Sequence, residues 1–359
     1  KKAYQYIKCT LKDPKNLTIA IKNWYDFTNL NAYVLKWSIV GDNGKMLAKG
    51  EQSIEVAPHA TTEVSLGGVR LPRNIREAYL NLSWTPKKKS AFIGTDDEVA
   101  YDQFVLPANS QYRPTLAKLS EKPEIQIDPK TGALTSYIYE GQEYLASPVR
   151  LSLYRPATDN DNREKKGGAK VWRKLGLNHL VQRVLSVKTS GHTTYSEVKL
   201  LNDKNETIGS ATFEYTIRKD GILSVQTRFV PDTTFVSSLA RVGLVFEMPH
   251  SFNRVTYLGR GEHETYADRK LSGRIGIYHT DAERMFHYYV RPQATGNRTD
   301  VRWMQVSDEL GKGLSVWGEK SFEFSVSPFT DENIDAAGHI NKLKRNGTVT
   351  VHLDALQSG

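Results

Sequence analysis

Apolar and polar residues alternate with a period of two along much of the chain. The pattern is clearest at residues 17–21 (LTIAI), 212–217 (TFEYTI), 322–326 (FEFSV) and 349–353 (VTVHL). Successive side chains of an extended strand point to opposite faces, so this spacing puts the apolar residues on one face. It predicts half-buried antiparallel strands.

Turn signals separate these segments. The strings DNG at 42–44, KDG at 219–221 and RNG at 345–347 are typical of tight turns between strands. Helical periodicity is scarce, and the best candidate is a short helix at residues 331–337, capped by Thr330. The chain is therefore predicted to be all-β.

A break in the pattern at residues 107–114 (PANSQYRP) divides the 359-residue chain. Residues 1–108 have the length of one immunoglobulin-like β-sandwich, with Trp24, Trp37 and Trp84 expected in its core. Residues 109–114 are predicted to be a linker. Residues 115–359 are too many for a small sandwich and predict one large antiparallel double sheet.

Composition excludes several classes of partner. The net charge is +9, but the basic groups at 87–89, 163–174 and 342–345 are short and mixed with acids, which favours a solvated surface over nucleic-acid binding. No apolar run approaches the roughly 20 residues that cross a bilayer, so no membrane partner is expected. The single cysteine, Cys9, allows no intrachain disulfide and does not decide between cytoplasm and periplasm.

One segment of six residues is polar throughout. Its residues are Thr158, Asp159, Asn160, Asp161, Asn162 and Arg163. Such side chains commonly bond their own backbone in turns, but a group of carboxylates and amides can also hold a sugar or a cation. Both interpretations stay open at this level.

The residues by themselves show no complete catalytic apparatus. A glycosidase needs two carboxylates about 5–10 Å apart across a cleft, and no feature marks Asp159 or Asp161 as an acid with a raised pKa. Nucleophile-elbow, phosphate-loop and zinc-helix motifs are lacking. Accordingly, no catalytic residue is assigned to this chain, and Asp159 and Asp161 are the only candidates for a metal ligand.

Three strings, taken together, carry a resemblance. They are RPATDNDN at 155–162, LGRGEHETYADR at 258–269 and YYVRPQATGNRTDVRWMQV at 288–306. In this order they resemble the C-terminal region of the glycoside hydrolase family 2 β-galactosidases. The matching residues of the last two strings, expected to be structural, are Glu264, Tyr266, Asp268, Arg269, Pro292, Gly296, Arg302 and Trp303. One local departure is the order Pro156-Ala157, which is reversed in the family.

The resemblance implies a fold and a function. It implies an immunoglobulin-like domain followed by a β-supersandwich similar to that of galactose mutarotases, within an enzyme that hydrolyses terminal β-galactosides with retention. In the family, both catalytic glutamates and most of the Mg and Na ions lie in a preceding barrel. The chain begins where that barrel would end and stops at Gly359, before the family's Gly-Gly-Asp-x-Ser-Trp string. It is therefore expected to be a truncated fragment, without cofactors and inactive alone.

The resemblance also implies roles for the polar segment. Thr158 to Asp161 would brace the loop, and residues 162–170 would border the sugar site beside the barrel. Asp268 with Arg269, and Asp300 with Arg302, are candidate structural ion pairs. The expected partners are a galactoside, the barrel, and a second copy of the chain in a homo-oligomeric enzyme.

Two other functions remain open from the sequence. A stand-alone carbohydrate-binding β-sandwich could stack sugar rings on Trp303 and Trp317. A sugar epimerase would need a His and a Glu that converge, and His263, followed by Glu264, is the only histidine with a glutamate neighbour in the sequence.

Overall fold

A computed structural model describes residues 2–108, 119–163, 168–234 and 236–358. The predicted linker at 109–114 lies outside these residues. Antiparallel strands dominate the described chain, which confirms the all-β prediction. The chain divides into two compact units.

The N-terminal unit is a sandwich of two antiparallel sheets, and Leu271–Ile277 from later in the chain groups with it. The strands are β1 (Ile7–Asp13), β2 (Thr18–Asn23), β3 (Tyr33–Gly41), β4 (Met46–Gln52), β5 (Thr61–Ser65), β6 (Glu77–Pro86) and β7 (Ala100–Pro107). The two sheets have the strand orders β1-β2-β5 and β4-β3-β6-β7. Two 3₁₀ turns, Lys2–Tyr4 and Leu30–Ala32, accompany them.

The three tryptophans of this unit differ in burial. Trp84 is fully buried in the core beside Leu35, and Trp37 is half-buried. Trp24 is 49% exposed, so its predicted core position is wrong. It lies just past the end of β2, where strand alternation no longer directs a side chain inwards.

The C-terminal unit contains three antiparallel sheets and four short α-helices among its described residues. The strands are β8 (Glu124–Ile127), β9 (Leu134–Tyr139), β10 (Gln142–Glu143), β11 (Arg150–Ser152), β12 (Val181–Ser190), β13 (Thr193–Leu201), β14 (Thr207–Ile217), β15 (Leu223–Pro231), β16 (Arg241–Pro249), β17 (Arg254–Gly261), β18 (Arg274–Asp281), β19 (Arg298–Ser307), β20 (Gly313–Ser327) and β21 (Thr348–Gln357). The seven-stranded sheet has the order β11-β16-β21-β20-β19-β17-β18, the four-stranded sheet the order β12-β13-β14-β15, and the three-stranded sheet the order β10-β9-β8. The helices are α1 (Asp159–Arg163), α2 (Gly168–Lys174), α3 (Ala282–Met285) and α4 (Asp331–Ala336), and 3₁₀ turns occur at Leu177–His179 and Ile340–Lys342.

Helix α4 matches the predicted short helix. The Thr330 side chain accepts a hydrogen bond from the Asn333 N–H at 3.2 Å, as an N-cap does. No helix in the described part of the chain is long and apolar enough to cross a membrane.

The seven-stranded sheet is buried on both faces along β21. Val349 and Val351 belong to the main core, which also contains Phe213 of the four-stranded sheet. The alternating residues Thr350 and His352 are 3% and 2% exposed, although the sequence pattern marks them as solvent-facing. The second face therefore carries buried polar side chains, and α4 and the segment after β11 contribute groups to it.

Candidate functional site

The polar segment after β11 folds into α1 with a reciprocal cap. The Asp161 carboxylate accepts hydrogen bonds from the N–H and the hydroxyl of Thr158, both at 2.7 Å. In return, the Asp161 N–H donates to the Thr158 hydroxyl at 3.3 Å. This is a capping box with aspartate in the third position of the helix, and it fixes the direction in which α1 leaves the sheet.

The buried side chain of Arg155 holds this cap in place. Its guanidinium donates to both Asp161 oxygens, at 2.6 and 3.2 Å, and also to the Ser358 hydroxyl at 3.1 Å. The side chain is 1% exposed and lies 5.3 Å from the ring of Trp172. A buried arginine that binds a carboxylate with two parallel hydrogen bonds fixes the position and orientation of that carboxylate. Thr158 and Asp161 are therefore support, not ligand-facing groups.

The outer side of α1 carries exposed polar side chains. Asp159, Asn160 and Arg163 are exposed, and their side chains make no hydrogen bond or ion pair with the residues that the structure describes. Asn162 is exposed too, but it accepts a hydrogen bond from Arg173 at 3.0 Å. These free side chains combine donors and acceptors and can bind a hydroxylated ligand.

The structure brings the first and third strings together. The Asp159 N–H donates to the Gln293 side chain at 3.0 Å, and the Ala294 N–H donates to the Pro156 carbonyl at 3.3 Å. The second string joins the third where the Thr265 N–H donates to the Asn297 carbonyl at 2.9 Å. Parts of the three strings thus meet in one hydrogen-bonded junction in the C-terminal unit, formed by residues 156–159, 264–269 and 293–297.

Glu264 accepts several of the hydrogen bonds that hold this junction together. Its carboxylate accepts from Arg269 at 2.7 Å, from the Thr295 hydroxyl at 2.8 Å and from the Gly296 N–H at 2.9 Å. Burial by itself would raise the pKa of Glu264, but these donors and the Arg269 charge lower it below its ordinary value. Glu264 is therefore an ionised structural acceptor at neutral pH.

Arg269 pairs with Glu264 and not with Asp268, so the predicted Asp268–Arg269 ion pair is wrong. The two residues are neighbours in an exposed turn after Tyr266, and Arg269 folds back towards the junction. Tyr266 is buried, and its ring lies 5.3 Å from the Arg269 guanidinium.

The third string supplies the backbone of the junction. Pro292 is buried, and Gly296 has a φ of 82°, with the Met285 carbonyl only 2.5 Å from where a Cβ would lie. Arg302 donates to the Asp300 carbonyl, while the Asp300 carboxylate pairs with Arg260 and Lys270. This string therefore needs glycine at 296 for both conformation and space.

Trp303 lies elsewhere, on the seven-stranded sheet. The register places it directly opposite Trp317, so both side chains share one face. Trp303 is half-buried and Trp317 is 42% exposed.

Sequence reasoning missed several residues of the junction. Arg298, 3% exposed, donates to the Tyr257 hydroxyl and to three backbone carbonyls. Asn297 donates to Glu323 at 2.6 Å, and burial raises the pKa of Glu323. Only the Thr158-x-x-Asp161 spacing carried a local signal, because the other partners lie far apart in the sequence.

No group of three or more His, Cys, Asp or Glu side chains within the described ranges is placed to hold a metal ion. Asp161, one of the two carboxylates considered for a cation, is paired with Arg155.

Comparison with known proteins adds to this geometry. Residues 120–359 match the family described as "Beta galactosidase small chain", and residues 19–107 match "Beta-galactosidase, domain 4". A beta-galactosidase of Priestia megaterium is 32% identical over 377 residues, covering 100% of this chain and 36% of that protein. Beta-galactosidase 2 of Enterobacter cloacae is 26% identical, with coverage of 100% and 36%.

The chain thus spans 36% of the length of these curated relatives. A solved exo-chitosanase of Amycolatopsis orientalis aligns with 78% of this chain and 27% of that one, at 10% identity and a TM-score of 0.24. That likeness is too slight to carry an argument. Because the small-chain family matches more than half of the residues, this chain belongs to the β-galactosidase small-chain family.

Proposed function

We propose that this chain is the C-terminal part of a retaining β-galactosidase of glycoside hydrolase family 2, and that it forms one wall of a site for terminal β-D-galactosides. The observation that carries the proposal is the small-chain match over residues 120–359. The relatives, each a beta-galactosidase with 36% of its length covered, support it.

Retention requires two carboxylates about 5–5.5 Å apart. One attacks the anomeric carbon while the other protonates the departing oxygen, and water later releases galactose from the first carboxylate. The described junction offers no such pair, since Asp161 is held by Arg155 and Glu264 by Arg269. The catalytic carboxylates, and the Mg and Na ions that the family uses, would belong to the rest of the protein. The isolated chain is therefore expected to be inactive.

The contribution of this chain would be positional. Asp159, Asn160 and Arg163 present polar groups from a helix whose cap is tied to the buried Arg155. Groups held on a rigid support lose little freedom when they bind a sugar hydroxyl. Assembly of the whole enzyme, including a homo-oligomer, would be a second task of the same chain.

The test uses the isolated chain and the longer protein that the proposal expects its gene to encode. With a nitrophenyl β-galactoside, the longer protein should turn over and the chain should not. Turnover by the purified chain would reject the proposal.

Variants of the longer protein test the wall. Asn160→Ala and Arg163→Ala should each raise KM about two- to tenfold, the range expected for one lost hydrogen bond. Lys188→Ala, an exposed residue of β12, is the matched control and should leave KM unchanged. An unchanged KM in all three variants would show that the side chains of α1 do not contact the substrate.

A carbohydrate-binding role is the second candidate, and the Trp303–Trp317 register favours it. Paired half-exposed aromatic rings offer a stacking surface for a sugar. If this role applies, Trp317→Ala should abolish lactose binding by the chain in calorimetry.

The epimerase hypothesis finds no support in the geometry. Glu264 is saturated with donors and has a lowered pKa, which makes it a poor general base near neutral pH.

A further inference from the structure

A cavity of about 310 Å³ opens in the C-terminal unit beside α4. Its walls come from β11 and Tyr154, from the turn at Leu177–His179, and from α4. The apolar part of the lining consists mainly of leucines, among them Leu151, Leu153 and Leu200, together with Val245. The volume is at the low end of the roughly 300–1,000 Å³ typical of small-molecule sites, so only a small ligand fits.

Two buried polar atoms in this lining have no hydrogen-bond partner within the described part of the chain. The Thr350 hydroxyl, on a residue 3% exposed, and the Gln182 carbonyl oxygen make no hydrogen bond with the described residues. The other end of the Gln182 amide is fixed, because its nitrogen donates to the Thr131 carbonyl at 2.7 Å. Buried polar atoms are almost always paired, so these two atoms point to a hydrogen-bonding occupant of the cavity.

The charged residues of the cavity restrict the charge of that occupant. Asp331 faces the buried side chains of His352 and Arg241, at 3.3 and 3.5 Å. Burial would raise the pKa of Asp331, but His352 and Arg241 lower it, so the carboxylate stays ionised. Asp335 accepts from the Tyr154 hydroxyl at 2.8 Å and pairs with Arg173 at 3.2 Å.

Asp331 and Asp335, with Glu247 and Glu332 in the same lining, therefore repel an anion, and the existing partners of Asp331 and Asp335 leave these two carboxylates little capacity for a cation. Arg150, at the rim, is exposed and forms no hydrogen bond or ion pair with residues that the structure describes. It adds a hydrogen-bond donor to the same lining as the two unpaired atoms.

We propose that this cavity is a binding site for a neutral monosaccharide. The hydroxyls of a monosaccharide both donate and accept hydrogen bonds. They can therefore donate to the Gln182 oxygen, accept from the Arg150 guanidinium and do either with the Thr350 hydroxyl. The C–H groups of the sugar lie against the leucines. The proposal does not depend on the catalytic function proposed above, because binding is measured on this chain without turnover.

The experiment is saturation-transfer NMR and calorimetry of the chain with galactose and, separately, with glucose. Saturable binding with a dissociation constant on the order of 1–10 mM is expected for at least one of them, as suits a ligand of so few atoms. Absence of saturable binding of both sugars up to about 50 mM would overturn the proposal.

Variants locate the site. Thr350→Val replaces the hydroxyl by a methyl group, and Gln182→Leu removes the whole amide, including the nitrogen that donates to Thr131. Each change nearly preserves the side-chain volume and should weaken binding about three- to tenfold. Ala336→Trp, at the exposed end of α4, should block the cavity, while Ala336→Ser should bind as the parent does. Because Ala336 is exposed, these variants remain informative if a core variant fails to fold, which circular dichroism would reveal.

Trp317→Ala provides the control for the other aromatic surface. Binding that survives Trp317→Ala and is lost in Ala336→Trp supports the cavity. Binding that is lost in Trp317→Ala and kept in Ala336→Trp overturns it. Competition by millimolar inorganic phosphate would also overturn it, because it would reveal an anion site.

Discussion

The buried guanidinium of Arg155 binds the carboxylate of Asp161 through two hydrogen bonds, at 2.6 and 3.2 Å. The two residues are six positions apart, and together they tie α1 to the interior of the C-terminal unit. Because Arg155 is 1% exposed, its charge depends on this carboxylate for compensation.

Asp161→Asn should therefore be strongly destabilising. The change leaves a buried cation without a counter-charge, and we expect the free energy of unfolding to fall by about 3 kcal/mol. Urea unfolding followed by tryptophan fluorescence measures this. Asp159→Asn, two residues away and exposed, should change the free energy by less than about 0.5 kcal/mol. Equal effects of the two variants would contradict the role assigned to Asp161.

Glu264→Gln should be destabilising in a pH-dependent way. Its pKa in the folded chain is below the ordinary 4.5, so the folded state favours the ionised form. The stabilisation is fully present above the unfolded-state pKa and is lost as the pH falls through the folded pKa. We expect the variant to be about 2 kcal/mol less stable at pH 7.

The difference between wild type and Glu264→Gln should shrink below about pH 4.5, as long as the fold persists. Unfolding curves at pH 7 and at successively lower pH measure it. Glu309→Gln provides the control, because Glu309 is 80% exposed in its pair with Arg254 and should contribute little at either pH. A pH-independent difference would show that charge is not the cause.

Gly296→Ala should lower the free energy of unfolding by more than the strain of a positive φ alone explains. Gly296 and Gly311 have nearly identical φ values, 82° and 81°. A Cβ at 296 would lie 2.5 Å from the Met285 carbonyl, whereas a Cβ at 311 would meet nothing within 4 Å. Both variants should lose about 1 kcal/mol to backbone strain.

The clash should cost Gly296→Ala a further 1–3 kcal/mol or so. Thermal unfolding of the two variants side by side isolates this contact, since the backbone strain is common to both. Equal melting temperatures would mean that the Met285 carbonyl moves away at little cost.

The Cys9 thiol should react slowly. Burial raises its pKa, and the nearby Asp102 carboxylate raises it further. Because the thiolate is the reactive form, a disulfide reagent at pH 8 should label the folded chain at least about tenfold more slowly than the chain in denaturant. Equal rates in the two states would show that the thiol is accessible and ionises normally.

Much of the secondary structure could be predicted from local patterns. The alternating segments at 212–217, 322–326 and 349–353 all lie in strands, β14, β20 and β21. Alternation succeeds because one sheet face meets the core whatever the topology. Helix α4 was predictable through its Thr330 cap. Helix α1 was not, because five residues are too few to show periodicity, and its capping box was the only local signal.

The sequence by itself determined the all-β class, the main strands and, through three short strings, the family. These features depend on neighbouring residues, whose sterics and hydrogen bonds act over a few positions. Only the tertiary structure decided which charges pair, since Arg269 binds Glu264 and not its neighbour Asp268. It also decided that the polar face of β21 is buried. It also decided that Thr350 and Gln182, far apart in the chain, share one cavity. Such choices depend on distances through space, which the spacing of residues along a chain does not encode.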